Sequence, residues 1–391
     1  MNIDSVRQDT PGTRNGIHLL ACGSALMPQP VIDAIVEHMQ LEASIGGYEA
    51  HAKQAESLDA VYTKVASHLG AAPEEIAITE NATMAWCHAF YALPLARGSR
   101  VLTCEAEYAA NYVALLQRAR RDDFQIEVIP SDDTGAIDLQ VLKTSLEKGN
   151  VSLIAMTWIP TNGGLVNPAH AVGELAQSAG VPFLLDACQA VGQMPVDVNT
   201  LQCDFLSATA RKFLRGPRGI GFLYVRNKWL QSLEPAIIDH FAAPWTSRDD
   251  YTLRDDARRF ENWENSYALR AGLGAAIDYA DGLGIESIHQ RVQALASHTR
   301  SALSAHTQIS LKDLGAEQCG IISFTVNRDD PSELVLALRK EGISIGASIP
   351  SSTLLDSERR QLPTLLRIAP HYYNTQEEID HCVDRLIKLL G

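Results

Sequence analysis

The chain has 391 residues and a formal net charge of −14, with 46% hydrophobic and 20% charged residues. That balance excludes a disordered or fibrous protein, and the acidic surplus argues against nucleic acid or an anionic membrane as the main partner. The length suits one large domain plus a smaller one.

Taken in chain order, the first segment, MNIDSVRQDTPGTRNG, has charges and a Pro-Gly pair where a secretory signal needs an apolar core. No apolar run reaches the length of a membrane span, so a cytoplasmic location is expected. Strand-like runs follow at residues 75–79, 100–104, 126–130, 152–158, 182–186, 205–208 and 221–225. Amphipathic helical stretches such as 169–179 separate several of them. The alternation predicts an α/β fold with a mainly parallel central sheet covered by helices. Ligands of such sheets bind outside the carboxyl ends of the strands.

After residue 225 a charged, aromatic segment, HFAAPWTSRDDYTLRDDARRFENWENSYALR, reads as a crossing that serves an active site or a subunit contact. Helical patterning over 270–305 follows. Strand-like runs at 320–326, 343–345 and 366–369, a helix at 333–341 and a last helix from Gln376 predict a small α+β C-terminal domain. The expected division is a large domain over 17–258 and a small one from 1–16 and 259–391. The seven cysteines form no C-x-x-C pair and the histidines lack ligand spacing, so neither disulfides nor a metal site is expected.

Chemistry concentrates in SATARKFLRGPRGIGFLYV, residues 207–225. Lys212 lies in a Gly, Pro and Thr-rich turn at a strand end, where sites collect, although a surface lysine is the ordinary alternative. Imine formation needs a reachable, partly desolvated amine, and adjacent Arg211 would lower its proton affinity. Asp186 ends a buried apolar strand in FLLDACQAVGQMPVDV. A carboxylate there needs a cationic partner, such as a protonated pyridine nitrogen, or else caps the next helix. In EIAITENATMAW a strand runs into a helix whose free N–H groups near Asn81 to Thr83 would suit a phosphate.

These segments, in this order and over nearly the whole chain, resemble the class V aminotransferase family of fold-type I pyridoxal-phosphate enzymes, which includes cysteine desulfurases and isopenicillin N epimerases. The resemblance implies pyridoxal 5'-phosphate as cofactor, Lys212 as the catalytic Schiff-base lysine, Asp186 as the pyridinium partner and Gln189 as donor to the phenolic oxygen. It implies phosphate contacts from Ala82, Thr83, Thr209 and Arg211. Glu107 to Val113, EYAANYV, aligns with the family's E-H-H-A-N and puts Tyr108 where a histidine usually stacks on the ring. Arg367, in LRIAPHYYNTQEEID, takes the place of the substrate-carboxylate fork.

Departures from the family pattern narrow the reaction. Desulfurases carry a nucleophilic Cys in a loop that corresponds here to GASIPSS, 346–352, where Ser348 is the nearest match. A serine cannot take up sulfur as a persulfide, and Cys319 is expected to pack. The partner-subunit loop F-E-x-G-T becomes Phe260, Glu261, Asn262, Trp263 and Glu264, which lacks the threonine but still implies a homodimer. The segment LEASIGGYEA, with RKFLRGPRGIGFLYV and HYYNT, resembles carbon-sulfur lyases of ergothioneine biosynthesis. Gly46 and Gly47 suggest a loop that approaches a ligand, with Tyr48 and Glu49 as substrate contacts. The expected function is beta-elimination from a cysteine-derived amino acid. Epimerisation or transamination of an amino acid, and a non-catalytic binding protein on the same fold, are the alternatives.

Overall fold

The computed structural model describes residues 1–328 and 330–391. Seven strands, β1 Ile76–Thr79, β2 Arg100–Cys104, β3 Gln125–Ile129, β4 Val151–Thr157, β5 Phe183–Asp186, β6 Phe205–Thr209 and β7 Gly221–Val225, form one sheet in the order β1-β7-β6-β5-β4-β2-β3. Every neighbouring pair is parallel except the two made by β7. The central strands β5, β6 and β7 are buried along their whole length, which explains why they read as continuous apolar runs rather than alternating ones. Alternation survives in where the side chains go. Phe183, Leu185, Leu206 and Phe222 pack into one hydrophobic layer, and Leu184, Phe205, Leu223 and Val225 into the other.

Helices cover both faces. α1 Gln29–Ile45 and α2 Gly47–Leu69 precede the sheet, α3 Ala82–Ala92 follows β1, α4 Ala109–Asp122 follows β2, and α5 Ala169–Ala179 lies between β4 and β5. The sequence reading took Gly46-Gly47 for a ligand-approaching loop. Instead Gly46, at φ +96°, forms the single joint between α1 and α2, a positive φ that an L side chain resists. Tyr48 and Glu49 therefore lie in the first turn of a long helix.

Downstream, α6 Tyr267–Leu283 packs on α1 and α2, with Leu273, Ala276 and Ile277 in the same core as Val61 and Val65. The expected division at 258/259 assigns α6 to the small domain, whereas its packing partners are helices of the large one. α7 Ile285–Ser304 and α8 Gln376–Leu390 cover a four-stranded antiparallel sheet of β8 Ile309–Leu311, β9 Ile322–Val326, β10 Gly346–Ser348 and β11 Leu365–Ile368, in the order β8-β9-β11-β10. α8 begins with a capping box between Thr375 and Glu378, two orphan donors satisfied reciprocally. Residues 346–352, read as a loop from sequence, are corrected here: β10 pairs with β11 through Ser348 and Leu365, and a 3-10 turn, Pro350–Thr353, follows. Among the described residues no helix is long and apolar enough to cross a membrane, and all seven cysteines are unpaired.

The turn between β6 and β7 is pressed against the segment after β5. A Cβ added to Gly192, whose φ is +90°, would lie 2.3 Å from Leu214 N and 2.4 Å from Phe213 C. Gly192→Ala combines backbone strain with a clash against backbone atoms, and we expect it to lower stability by about 2–4 kcal/mol. Urea denaturation checks this, and an unchanged midpoint would refute the close contact.

Candidate active site

The carboxyl ends of β4, β5 and β6 deliver Thr157, Asp186 and Thr209 to one cleft, and Lys212 enters it from the turn after β6. The sequence dictates this convergence: three apolar strands end at polar residues, and each is followed by a turn that cannot continue in the sheet. Asp186 is buried. Its Oδ1 accepts from Cys188 N at 2.9 Å and its Oδ2 from Asn111 Nδ2 at 2.9 Å. No Lys or Arg lies within ion-pair distance of it among the described residues. A buried carboxylate held by neutral donors alone still favours a cation.

Asn111 has a second acceptor. The same Nδ2 donates to Glu107 Oε1 at 2.9 Å, and Glu107, also buried, accepts from Tyr108 N (2.9 Å), Thr157 N (3.0 Å), Thr103 Oγ1 (3.1 Å) and Thr157 Oγ1. Burial raises the Glu107 pKa above the usual carboxylate value, and the Asp186 charge adds to the rise. Hydrogen bonds from Thr157, Asn111 and Tyr108 oppose it. Sequence reasoning passed over Glu107 and Asn111 as site residues, although both stand in the EYAANYV segment whose Tyr108 it selected. The i, i+4 spacing of Glu107 and Asn111 around the start of α4 was the available signal.

At the other end of the cleft lies the N-terminus of α3. Asn81 caps it through Met84 N at 3.0 Å, Ala85 N takes the first helical bond, and the N–H groups of Ala82 and Thr83 have no protein acceptor among the described residues. The Thr83 and Thr209 side chains, Arg211 and Arg218 line this mouth. Burial and then the neighbouring Arg218 lower the Arg211 pKa, so two guanidinium groups crowd a surface on which Glu80 is the one carboxylate among the described residues. Free helix N–H groups, hydroxyls and paired arginines form a receptor for a dianion. Arg218 is a further residue that sequence reasoning did not single out.

Between the two ends, Tyr108, Cys188 and Gln189 face the space next to Lys212. Gln189 differs from expectation in detail: its Nε2 donates to Cys22 O at 3.1 Å, and its buried Oε1 is the atom without a partner. Arg367, on β11, donates from Nη1 to Thr161 O at 2.5 Å and Thr161 Oγ1 at 2.9 Å, and from Nη2 to Ala347 O at 3.3 Å. Thr161 lines the Lys212 cleft, so the guanidinium stands at its wall, with a buried Nε that has no partner. Tyr48 and Glu49 are not brought to this cleft. Tyr48 is 76% exposed and lines a separate surface groove with Trp263 and Glu264. Glu261 points inward, where Ile78 N (2.8 Å), Tyr62 Oη (2.8 Å) and Arg270 Nη2 (3.3 Å) all donate to it.

The residues present fit pyridoxal phosphate: a dianion receptor at one end, an unpaired buried carboxylate at the other, an aromatic face and a lysine amine between them. Residues 17–382 match the family described as aminotransferase class-V. The chain is 32% identical, over all of its length and 99% of the relative's, to a protein named cysteine desulfurase from Yersinia pestis (strain Pestoides F). It is 28% identical, over 100% of its own length and 99% of the relative's, to a probable cysteine desulfurase from Methanothermobacter thermautotrophicus. Among solved structures, the apo cysteine desulfurase from Thermococcus onnurineus NA1 superposes with a TM-score of 0.93 at 25% identity, covering 100% of this chain and 98% of that one.

Asn111→Ala removes the amide that both buried carboxylates share, at a cost of about 2–3 kcal/mol. A raised folded pKa makes the Glu107 contribution largest in acid, below its unfolded value, and diminishes it as pH rises through the folded value. Loss of the Asn111 donor pushes the folded value further up. The deficit of the variant in denaturant midpoint is therefore expected to widen as pH rises above the ordinary carboxylate value of about 4.5, and a deficit that narrows with pH would contradict this account.

Proposed function

Because the chain belongs to the class-V aminotransferase family, we propose that it is a pyridoxal-phosphate enzyme that cleaves a carbon–sulfur bond of a cysteine-derived amino acid by beta-elimination. When bound, the cofactor supplies an electron sink for the bond broken at the substrate's α carbon. Lys212 would hold it, and its Nζ, when free, would accept the Cα proton of the substrate. Asp186, kept in place by Asn111 and Cys188 N, holds the proton on the ring nitrogen. Ala82, Thr83, Thr209 and Arg211 bind the phosphate, Tyr108 and Gln189 bound the ring, and Arg367 orients the substrate carboxylate. The Cβ–S electron pair leaves with sulfur, as a thiolate or, from a sulfoxide, as a sulfenate, and the remaining three-carbon unit ends, after water addition, as pyruvate and ammonia.

One observation carries the choice of elimination over sulfur transfer to the protein. Cys188 is the only thiol among the described residues that lines the Lys212 cleft, and burial followed by the Asp186 charge pushes its pKa well up. A protonated thiol is a poor nucleophile. Cys319 is buried and pushed up to about 12 by burial, and the position corresponding to the desulfurase cysteine is Ser348, enclosed in β10. Sulfur thus has no thiolate to receive it and departs with the leaving group. The ergothioneine-pathway subgroup resemblance, carried by RKFLRGPRGIGFLYV and HYYNT, agrees with this reading.

We further propose a homodimer in the cytoplasm. Tyr48 and Trp245 are each 76% exposed and Trp263 is 44% exposed, and large exposed aromatics mark contact surfaces. In a dimer Tyr48 and Glu49 would meet substrate in the partner's cleft.

Borohydride is expected to bleach the yellow holoprotein and fix the cofactor on Lys212, and Lys212→Ala is expected to remove that fixation. With cysteine conjugates and their sulfoxides, the holoprotein should release pyruvate and ammonia in equal amounts with no 2-oxo acid acceptor added and without a persulfide-sized mass gain, also as Cys188→Ser. A requirement for a 2-oxo acid would establish transamination instead, racemised substrate would establish epimerisation, and a protein that cannot bind pyridoxal phosphate would be a non-catalytic relative. Arg367→Lys should raise KM by about 10–100-fold with a smaller change in kcat, since a single ammonium replaces a bidentate fork.

A further inference from the structure

The turn that carries Lys212 is built around a buried cation with no acid beside it. Arg215 has no exposed surface, and no carboxylate lies within ion-pair distance of it among the described residues. Its guanidinium sits against the rings of Tyr372 and Tyr373, at 4.8 Å each, and Tyr279, at 5.5 Å. Its Nε donates to Leu26 O at 2.8 Å and its Nη2 to Thr10 Oγ1 at 2.6 Å. Aromatic faces are among the few uncharged environments that attract a desolvated cation.

The backbone makes the arrangement more specific. Arg215 adopts φ +62°, a left-handed conformation that a long side chain rarely takes and that persists only where its surroundings over-determine it. In that conformation Arg215 N donates to Lys212 O at 3.0 Å, and Gly216 N to Ala210 O at 2.8 Å, closing the turn on both sides of the lysine. His371 Nε2 donates to Phe213 O at 2.6 Å, and burial together with Arg215 lowers the His371 pKa, so the ring is a neutral donor. Ala25 N donates to Arg211 O at 2.9 Å. The N-terminal segment, through Thr10 and Leu26, and the C-terminal HYYN segment thus hold the Lys212 turn from two directions, with Arg215 as the shared point.

We propose that Arg215 is a positioning residue: its aromatic box and its two hydrogen bonds lock the left-handed turn that aims the Lys212 amine into the cleft. Two sequence segments that resemblance alone associates, RKFLRGPRG and HYYNT, acquire a physical reason to occur together, because the cation of one needs the rings of the other. This inference rests on the reading of Lys212 as the cofactor's anchor.

The test follows imine formation on the apoprotein. Pyridoxal phosphate is added to wild type, Arg215→Met and Arg215→Lys, and the rate of growth of the visible imine band is read together with borohydride-fixed cofactor on Lys212 by peptide mass. Methionine keeps the buried stem and removes the charge, a replacement that buried ionic sites tolerate. Arg215→Met is expected to form the imine about tenfold more slowly or worse, since small misplacements of a reacting group are costly. Arg215→Lys should be intermediate, because an ammonium keeps the ring contact but cannot reach both Leu26 O and Thr10 Oγ1. Leu303→Ala, a deletion in the distant core of the small sheet, controls for lost stability and should form the imine at the wild-type rate. If Arg215→Met does not fold, Tyr372→Leu, which removes one ring and leaves the arginine, should slow the reaction by about threefold, in proportion to one lost cation–π contact. A wild-type rate in Arg215→Met, or in Tyr372→Leu where that variant is used, would overturn the proposal. So would an equal slowing in Leu303→Ala. A wild-type protein that fixes no cofactor on Lys212 would instead overturn the functional reading beneath it.

Discussion

The site is organised by the difficulty of keeping a carboxylate inside a sheet. Asp186 lies at the end of the central strand β5, buried, with neutral donors on both oxygens and no cation of its own. Ionised groups in such positions are retained only when something pays for their desolvation. The neighbouring elements are arranged around that demand. β4 contributes Thr157, α4 contributes Asn111, and Glu107 fixes the Asn111 amide from behind. A ligand that brings a positive ring nitrogen would complete the set, so on the proposed reading the fold would orient the cofactor at its ring end as well as at its phosphate.

The parts of the fold most legible in the sequence were the strands of the large sheet, most of which are buried along nearly their whole length, the edge strand β3 being the exception. Residues 100–104 and 221–225 are strands with the expected bounds, and the other five large-sheet strands lie within one or two residues of theirs, because continuous apolar runs bounded by Gly, Pro and polar turns leave few other readings. The two helices before the sheet were not described from sequence. Gly46-Gly47 suggested an open loop, yet a positive φ at one residue lets two helices abut without a loop. β10 was missed because GASIPSS has small residues and a proline, and it becomes a strand only through pairing with β11.

Within the site, Lys212, Asp186, Thr83, Tyr108 and Thr209 converge on one cleft as their motifs suggested. Each of them follows a strand end or opens a helix; Lys212 and Asp186 stood out in the local sequence, whereas Tyr108 and Thr209 were singled out only through the family resemblance. Asn111 and Arg215 act through other side chains as well, and the partners that decide their roles are distant in sequence. Asn111 meets Asp186, and Arg215 meets Thr10 and Tyr372. No local pattern encodes such contacts. The exposed groove of Tyr48, Trp263 and Glu264 is a third case, in which the proposed homodimer would supply the neighbour.

Arg367 links the two sheets, so its proposed role toward the substrate carboxylate would be coupled to the geometry of the cleft. It is carried by β11 of the small sheet, while its strongest contact is to Thr161, which follows β4 of the large one. That contact uses a neutral carbonyl and a hydroxyl, and Nε has no partner at all. A substrate carboxylate offers two charged oxygens to the same fork, and charge-assisted bonds are roughly twice as strong as neutral ones. Binding would therefore replace weaker internal bonds with stronger ones and satisfy a donor that is buried without an acceptor. Because Ala347, the other acceptor, belongs to β10 beside Ser348, the exchange acts on the strand that stands where a desulfurase would carry its cysteine loop. Ladder bonds to β11 hold that strand in place, which suits a site that lets sulfur leave rather than one that reaches in to collect it.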